Sequence, residues 1–180
     1  MTNKSNNKKH IRWVAVSGGF DPIHVGHIEL MQKARKLGDR LLVILNNDHW
    51  LRSKKGFAFM PEKERKMLLL AFPFVDRVYL TGHGKNDPRG SAYHRGVSRE
   101  LQKLKPAVFA NGGDRDKKNA ADPRSSLYWD IKTCGEYGIQ MKFNLGKKIQ
   151  SSSWMIKDAA RALARSGHAR PSRKRGRAER

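Results

Sequence analysis

Five short apolar runs alternate with stretches of helical spacing, and this alternation limits the fold more than any other feature of the chain. Ile11 to Ser17, Arg40 to Leu45, Val75 to Leu80, Ala107 to Ala110 and Ile139 to Phe143 read as strands. The second, Arg-Leu-Leu-Val-Ile-Leu, is almost wholly apolar, as a parallel strand covered on both faces must be. Between the runs, Val25 to Leu37 sets Ile28, Leu30, Met31, Ala34 and Leu37 on one helical stripe, and Gly38 stops it. Pro61-Glu62-Lys63-Glu64 opens a second helix, proline first and acids in the first turn, that runs to about Ala71 or Phe72. Residues 92–104 and Ser125 to Tyr137 read as helices, and Ser151 or Ser152 caps a last one reaching about Leu163. Asn46 to Met60 reads as a polar loop, Thr81 to Gly90 as a turn-rich segment and Arg115 to Arg124 as a mobile polar one. Such alternation predicts an α/β, doubly wound parallel sheet of five strands with helices on both faces. Ligands of such sheets bind beyond the carboxyl ends of the strands. The predicted strand ends carry Gly18 and Gly19, Asn46 to Asp48, His83, and Gly112 to Asp114, so the fold gathers these residues on one edge.

The 180 residues suffice for one domain, placed at 11–165. Of the formal net charge of +22, 11 lies in residues 1–12 and 161–180 and 11 is spread over 13–160. Residues 1–10 read as a flexible basic arm, and 166–180, rich in Arg, Lys, Pro, Gly and Ser, as a disordered basic tail. A basic body suits polyanionic ligands, nucleotides or nucleic acid. The termini read either as solvated chain or as nucleic-acid contacts. Cys134 is the single cysteine, which excludes an intrachain disulfide and fits a cytoplasmic setting. Its expected role is a small packed side chain. The lysine-rich start has no apolar segment behind it, and no run approaches the length needed to cross a bilayer, so no membrane partner is expected.

Chemistry is concentrated where the first strand meets the first helix. Gly18-Gly19-Phe20-Asp21-Pro22-Ile23 leads into His24-Val25-Gly26-His27. Glycines let backbone approach a ligand closely. A helix start offers unpaired N–H groups and partial positive charge. Histidines at i and i+3 project from one face. The stretch therefore predicts a phosphate site with two imidazoles aimed at it. The N–H groups of Gly18, Gly19 and Phe20 line it, while the Phe20 ring packs beneath the loop. His83 is expected on a solvent-facing turn. The histidines form no zinc set, so no protein-held metal is expected.

Gly-Gly-Phe-Asp-Pro-Ile-His-Val-Gly-His resembles the signature of the cytidylyltransferase-like nucleotidyltransferases, and the likeness extends over about residues 11–160. Ser151-Ser152-Ser153-Trp154-Met155-Ile156-Lys157 resembles the family's late motif, in which hydroxyls and helix N–H groups hold the phosphates that leave. Trp154 replaces the small or polar residue usual there, and Lys147 and Lys148 stand where many relatives have an arginine. Lys54-Lys55-Gly56 is similar to a lysine-bearing loop that closes over phosphates, with the aligned lysine undecided between the two. Glu64-Arg65 is similar to a helix pair whose arginine supports the site. Gly112-Gly113-Asp114 is similar to the turn whose aspartate meets the ribose or base.

The resemblance implies a Rossmann-like enzyme that transfers AMP or CMP from a nucleoside triphosphate to a phosphorylated small molecule, a sugar or polyol phosphate, and releases pyrophosphate. His24, His27 and Lys54 or Lys55 take the catalytic roles. Gly18, Gly19, Phe20, Arg65, Gly113, Asp114, Ser151, Ser152 and Ser153 hold the nucleotide, and Mg²⁺ arrives with the bound ATP or CTP. Within the family, the heptose-1-phosphate adenylyltransferase branch is the most similar and the glycerol-3-phosphate cytidylyltransferase branch next. A homodimer is compatible with this reading, and the sequence leaves the oligomeric state open. A second expectation, from the basic ends, is a nucleic-acid-binding protein on the same fold.

Overall fold

The computed structural model describes residues 10–87, 91, 96–112, 120–146 and 150–166. In chain order the elements are β1 (Trp13–Gly18), α1 (Val25–Arg35), β2 (Arg40–Leu45), α2 (Asp48–Lys55), α3 (Glu62–Leu70), β3 (Arg77–Leu80), α4 (Ser98–Leu104), β4 (Val108–Ala110), α5 (Ser126–Glu136), β5 (Gln140–Lys142) and α6 (Ser152–Arg165). The five strands form one parallel sheet in the order β3-β2-β1-β4-β5. This is the expected doubly wound α/β architecture. Val14 is the register mark at its centre, opposite Leu41 on one side and Val108 on the other.

Strand periodicity divides the core in two. Val14, Val16, Leu41, Val43 and Leu45 turn to one face, where Met31 and Ala34 of α1 and Leu69 of α3 meet them. Ala15, Leu42 and Ile44 turn to the other, against Leu101 of α4 and Cys134 of α5. Cys134 is buried, and burial pushes its thiol up to about 12, which fits an inert packed side chain. Among the described residues no helix is long and apolar enough to cross a membrane.

The chain leaves β1 for β2 on one side and returns to β4 on the other, so β1 and β4 flank the point where strand order reverses. The ladder runs slightly past the strands: Asn46 N–H donates to the Gly18 carbonyl, Thr81 N–H to that of Leu45 and Asn111 N–H to that of Lys142. Gly18, Asn46, Thr81 and Asn111 thus lie along one edge.

The main correction is α2. It occupies the stretch expected to be a loop, because Asn47 Oδ1 accepts the Trp50 N–H at its start and Gly56, at φ +84°, ends it. Its single fully buried side chain, Leu51, seats it on the β1 turn. A Cβ on Gly19 would lie 2.7 Å from Leu51 Cδ2. A side chain there would therefore press on the packed Leu51 of α2. The helix expected over 92–104 starts at Ser98, with 92–95 outside the described residues, and α6 extends two residues beyond Leu163. The arm through residue 9, residues 113–119 and the tail from 167 onward lie outside the described residues as well.

Candidate active site

His24 is the N-cap residue of α1, and His27 lies within its first turn. The i, i+3 spacing stacks the two imidazoles, with ring centroids 3.7 Å apart and planes 21° from parallel. Phe20 sits below them. It is buried, adopts φ +47°, and meets the His27 ring edge-on at 4.9 Å. Its ring packs under the loop as expected.

The surroundings keep the pair uncharged. Burial, followed by the neighbouring His24 and Lys55, pushes His27 down to about 3. Burial, then Lys55, lowers His24. Two imidazolium rings stacked this closely would repel; two neutral rings are compatible with the geometry. In both, Nδ1 is buried and lacks a hydrogen-bond partner in the protein. A buried, unpaired nitrogen costs free energy until something bonds it. The Asn46 side-chain oxygen, at the end of β2, is likewise buried and unpartnered.

Three ties fix the loop that carries the histidines. The first is Asp21, whose two carboxylate oxygens accept the N–H groups of Phe59 (2.8 Å) and Met60 (2.7 Å), pinning the segment after α2 against the turn. The second is Arg65 of α3, whose side chain has no solvent exposure. It donates to the carbonyls of Met60, Gly19 and Asn46 and to Asp48 at 2.7 Å. Arg65 thus grips the ends of β1 and β2 from behind. The third is Ser152, the first residue of α6, whose hydroxyl donates to the Pro22 carbonyl at 2.9 Å. That bond joins the early and late motifs.

The two lysines left open by the sequence occupy different surroundings. Lys54 is exposed and lies 4.5 Å over the Trp50 ring. Lys55 is half-buried and feels Asp21, Arg65 and the histidine pair. Burial lowers its ammonium, the Asp21 carboxylate opposes that shift, and Arg65 adds to it. Ser151 occupies the N-cap position of α6 without a side-chain cap bond, and Ser153 is exposed. Gly113, Asp114, Lys147 and Lys148 lie outside the described residues. Gly112 is described, and a Cβ there would lie 3.0 Å from the Leu145 carbonyl oxygen and from Leu30 Cδ1.

His83 corrects an expectation. Rather than facing solvent, it is buried, with Nδ1 2.8 Å from Thr81 Oγ1 and Nε2 2.9 Å from the Gly96 carbonyl, to which it donates. Segment 96–97 covers it, a contact made 13 residues away in the chain and invisible to a local reading. Sequence reasoning also gave no role to Asp21, Asn46 or Asp48. Asp21 was within reach, since it stands inside the signature itself. Asp48 became meaningful only with α2.

No group of three or more His, Cys, Asp or Glu side chains able to hold a metal ion occurs among the described residues. Both oxygens of Asp21 are already taken by backbone N–H groups.

A family model for cytidylyltransferase-like proteins matches residues 15–131, spanning the histidine pair, both lysines and Arg65. The chain belongs to this family. Among curated proteins, this cytidylyltransferase-like chain is similar to the FAD synthase of Pyrococcus abyssi, at 38% identity over 105 residues, which are 57% of this chain and 64% of that protein. It is similar to the FAD synthase of Methanothermobacter marburgensis at 31% over 144 residues, covering 76% and 83%. It is also similar to the bifunctional protein HldE of Koribacter versatilis at 35% over 105 residues, covering 57% and 19%. The matched region spans 64% of the Pyrococcus relative, short of two thirds of its length. Among solved structures, a lipopolysaccharide core biosynthesis protein from Thermoplasma volcanium aligns with a TM-score of 0.55 at 25% identity, covering 75% of this chain and 95% of that one. Thermotoga maritima TmcAL, bound with alpha-thio ATP, aligns with a TM-score of 0.55 at 15% identity, covering 88% and 51%, a likeness of fold alone.

Proposed function

We propose that this cytidylyltransferase-like domain is an adenylyltransferase that joins AMP, taken from ATP, to a phosphate monoester and releases pyrophosphate. One observation carries the reading: the neutral, stacked His24–His27 pair and the start of α6 meet on the loop that leaves β1, through the Ser152–Pro22 bond. An oxygen of the acceptor's phosphate attacks the α-phosphorus. The new P–O bond forms as the bond to the pyrophosphate oxygen breaks, and no covalent enzyme intermediate is required. Catalysis then consists of positioning and neutralising charge. The imidazoles donate hydrogen bonds to the α-phosphate oxygens. The unpaired N–H groups at the start of α6, with Ser151 and Ser153, receive the leaving phosphates. Lys55, the lysine beside Asp21 and the histidines, covers the site, and Lys54 does not. The backbone of Gly18, Gly19 and Phe20 lines the triphosphate, and Arg65 holds that backbone in place. Gly113 and Asp114 keep the role the family resemblance gives them, toward the ribose or base. Mg²⁺ enters as part of the nucleotide substrate.

FMN is the first acceptor to test, because two of the relatives are named FAD synthases and FAD forms when AMP is joined to FMN. The sequence likeness to the heptose-phosphate branch makes sugar phosphates the second. The experiment supplies ATP or CTP with FMN, riboflavin, a series of sugar phosphates and glycerol 3-phosphate, and measures pyrophosphate. Release with ATP and one phosphorylated acceptor, and none with the dephosphorylated counterpart, is expected. Release with no pair, from protein shown to be folded, would refute the assignment.

A further inference from the structure

α6 carries a second surface that nucleotidyl transfer does not use. Ser152 is its single buried residue, and Trp154 is 50% exposed. Trp154, Lys157, Arg161 and Arg165 follow one another at intervals of three or four, so they share one face of the helix. Arg161 lies 3.7 Å from Asp158, with both side chains more than 70% exposed, so solvent screens that pair and the guanidinium remains accessible. The chain continues in the same sign: Arg170, Arg173, Lys174, Arg175, Arg177 and Arg180 stand against Glu179 alone.

We propose that this face of α6 binds single-stranded nucleic acid, with backbone phosphates on Lys157, Arg161 and Arg165 and a base stacked on Trp154. The charge of the chain, +22, complements a polyanion. The placement of the tryptophan selects the kind of polyanion. Trp154 stands in the basic row, where a base can stack on the ring while its phosphates meet the cations. A helix that lies on a lipid surface keeps its tryptophan among its apolar residues. Here Trp154 stands apart from the apolar row of Met155, Ile156, Ala159, Ala162 and Leu163. A second copy on this face would bring two basic rows together, which like charges oppose. Trp154 and Lys157 stand within the late motif, whereas Arg161 and Arg165 lie beyond it, so the arginine variants separate this proposal from the adenylyltransfer reading.

The test is fluorescence anisotropy of labelled 20-nucleotide single-stranded RNA and DNA with the full chain, at several NaCl concentrations. Binding at about micromolar to 100 micromolar Kd near physiological salt is expected. Replacing Arg161→Ala together with Arg165→Ala should weaken it at least tenfold and reduce the salt slope by about 1.4. Trp154→Ala should weaken it about fivefold or more with the salt slope unchanged, the signature of lost stacking, and Trp154→Phe should restore most of the loss. Circular dichroism confirms that each variant is folded. Three results would overturn the proposal. In one, affinity is untouched by these substitutions and lost only when residues 167–180 are removed. In another, the chain ignores oligonucleotides but binds phosphatidylserine vesicles in a Trp154-dependent way. In the third, sedimentation shows a dimer that Trp154→Ala dissolves while oligonucleotides do not bind.

Discussion

Two stacked histidines resist being charged together, and burial holds His27 in its neutral form, which sets what it can do. Its chemistry is hydrogen-bond donation from an uncharged ring, and His27→Ala should lower turnover at least a hundredfold, on the order seen for lost transition-state donors. The thermal midpoint should stay within about 3 °C of the parent. Turnover measured beside a melting curve checks both, and unchanged turnover would remove His27 from the chemistry. The same burial makes stability depend on pH. His27 has its ordinary value of 6.5 in the unfolded chain and about 3 when folded. Between those values the unfolded chain binds a proton that the folded chain refuses, so stability is complete above pH 6.5 and falls as pH drops toward 3. His24 and His83 are lowered as well and act with the same sign. Urea midpoints should therefore be lower at pH 5 than at pH 7, and His27→Ala should shrink the difference. A midpoint that rises on acidification would contradict the burial argument.

Among the elements, α2 and α3 form the brace of the site. Leu51 rests where Gly19 has no side chain, and Arg65 holds the ends of β1 and β2 through their carbonyls. Gly19→Ala should cost about 1–3 kcal/mol through overpacking. Adding Leu51→Ala should cost less than the sum of the two single changes, because the truncated leucine no longer opposes the new methyl. A double-mutant cycle in urea measures the coupling, and strict additivity would separate the two positions. Arg65→Met should cost about 3 kcal/mol or more, since it strips donors from three carbonyls and leaves Asp48 without its buried partner. Lys55→Ala should lower turnover at least tenfold more than Lys54→Ala does, and equal effects would contradict the assignment of the covering lysine.

The same elements mark what could be read from the sequence. The strands were legible because period two and apolar runs are local properties; Val14, Leu41 and Val108 needed no partner to be recognised. The histidine pair was legible as neighbours on one side of the helix start, but the stack itself also needs the extended N-cap backbone of His24. α2 was not, because Asp-His-Trp-Leu-Arg-Ser-Lys-Lys has one residue, Leu51, that the core takes up, and its start depends on a cap by Asn47. The burial of His83 was invisible for a related reason: it is produced by Gly96 and Val97 arriving from another part of the chain.

For the molecule as a whole, the controlling quantity is charge. A compact chain with 38 basic and 16 acidic residues repels itself, and salt screens that repulsion. The melting temperature should rise by about 3 °C or more between 20 and 300 mM NaCl, and a fall would show that specific ion pairs outweigh the net repulsion. The two motifs that build the site lie at opposite ends of this charged body in sequence and adjacent in space. The hydroxyl of Ser152 reaches the carbonyl of Pro22 across 130 positions of chain. A ribosome making this protein therefore exposes the histidine loop 130 residues before the serine that ties to it. A nascent chain arrested before residue 150 has the histidine loop but not α6, so it lacks the Ser152–Pro22 tie on which the proposed adenylyltransfer depends.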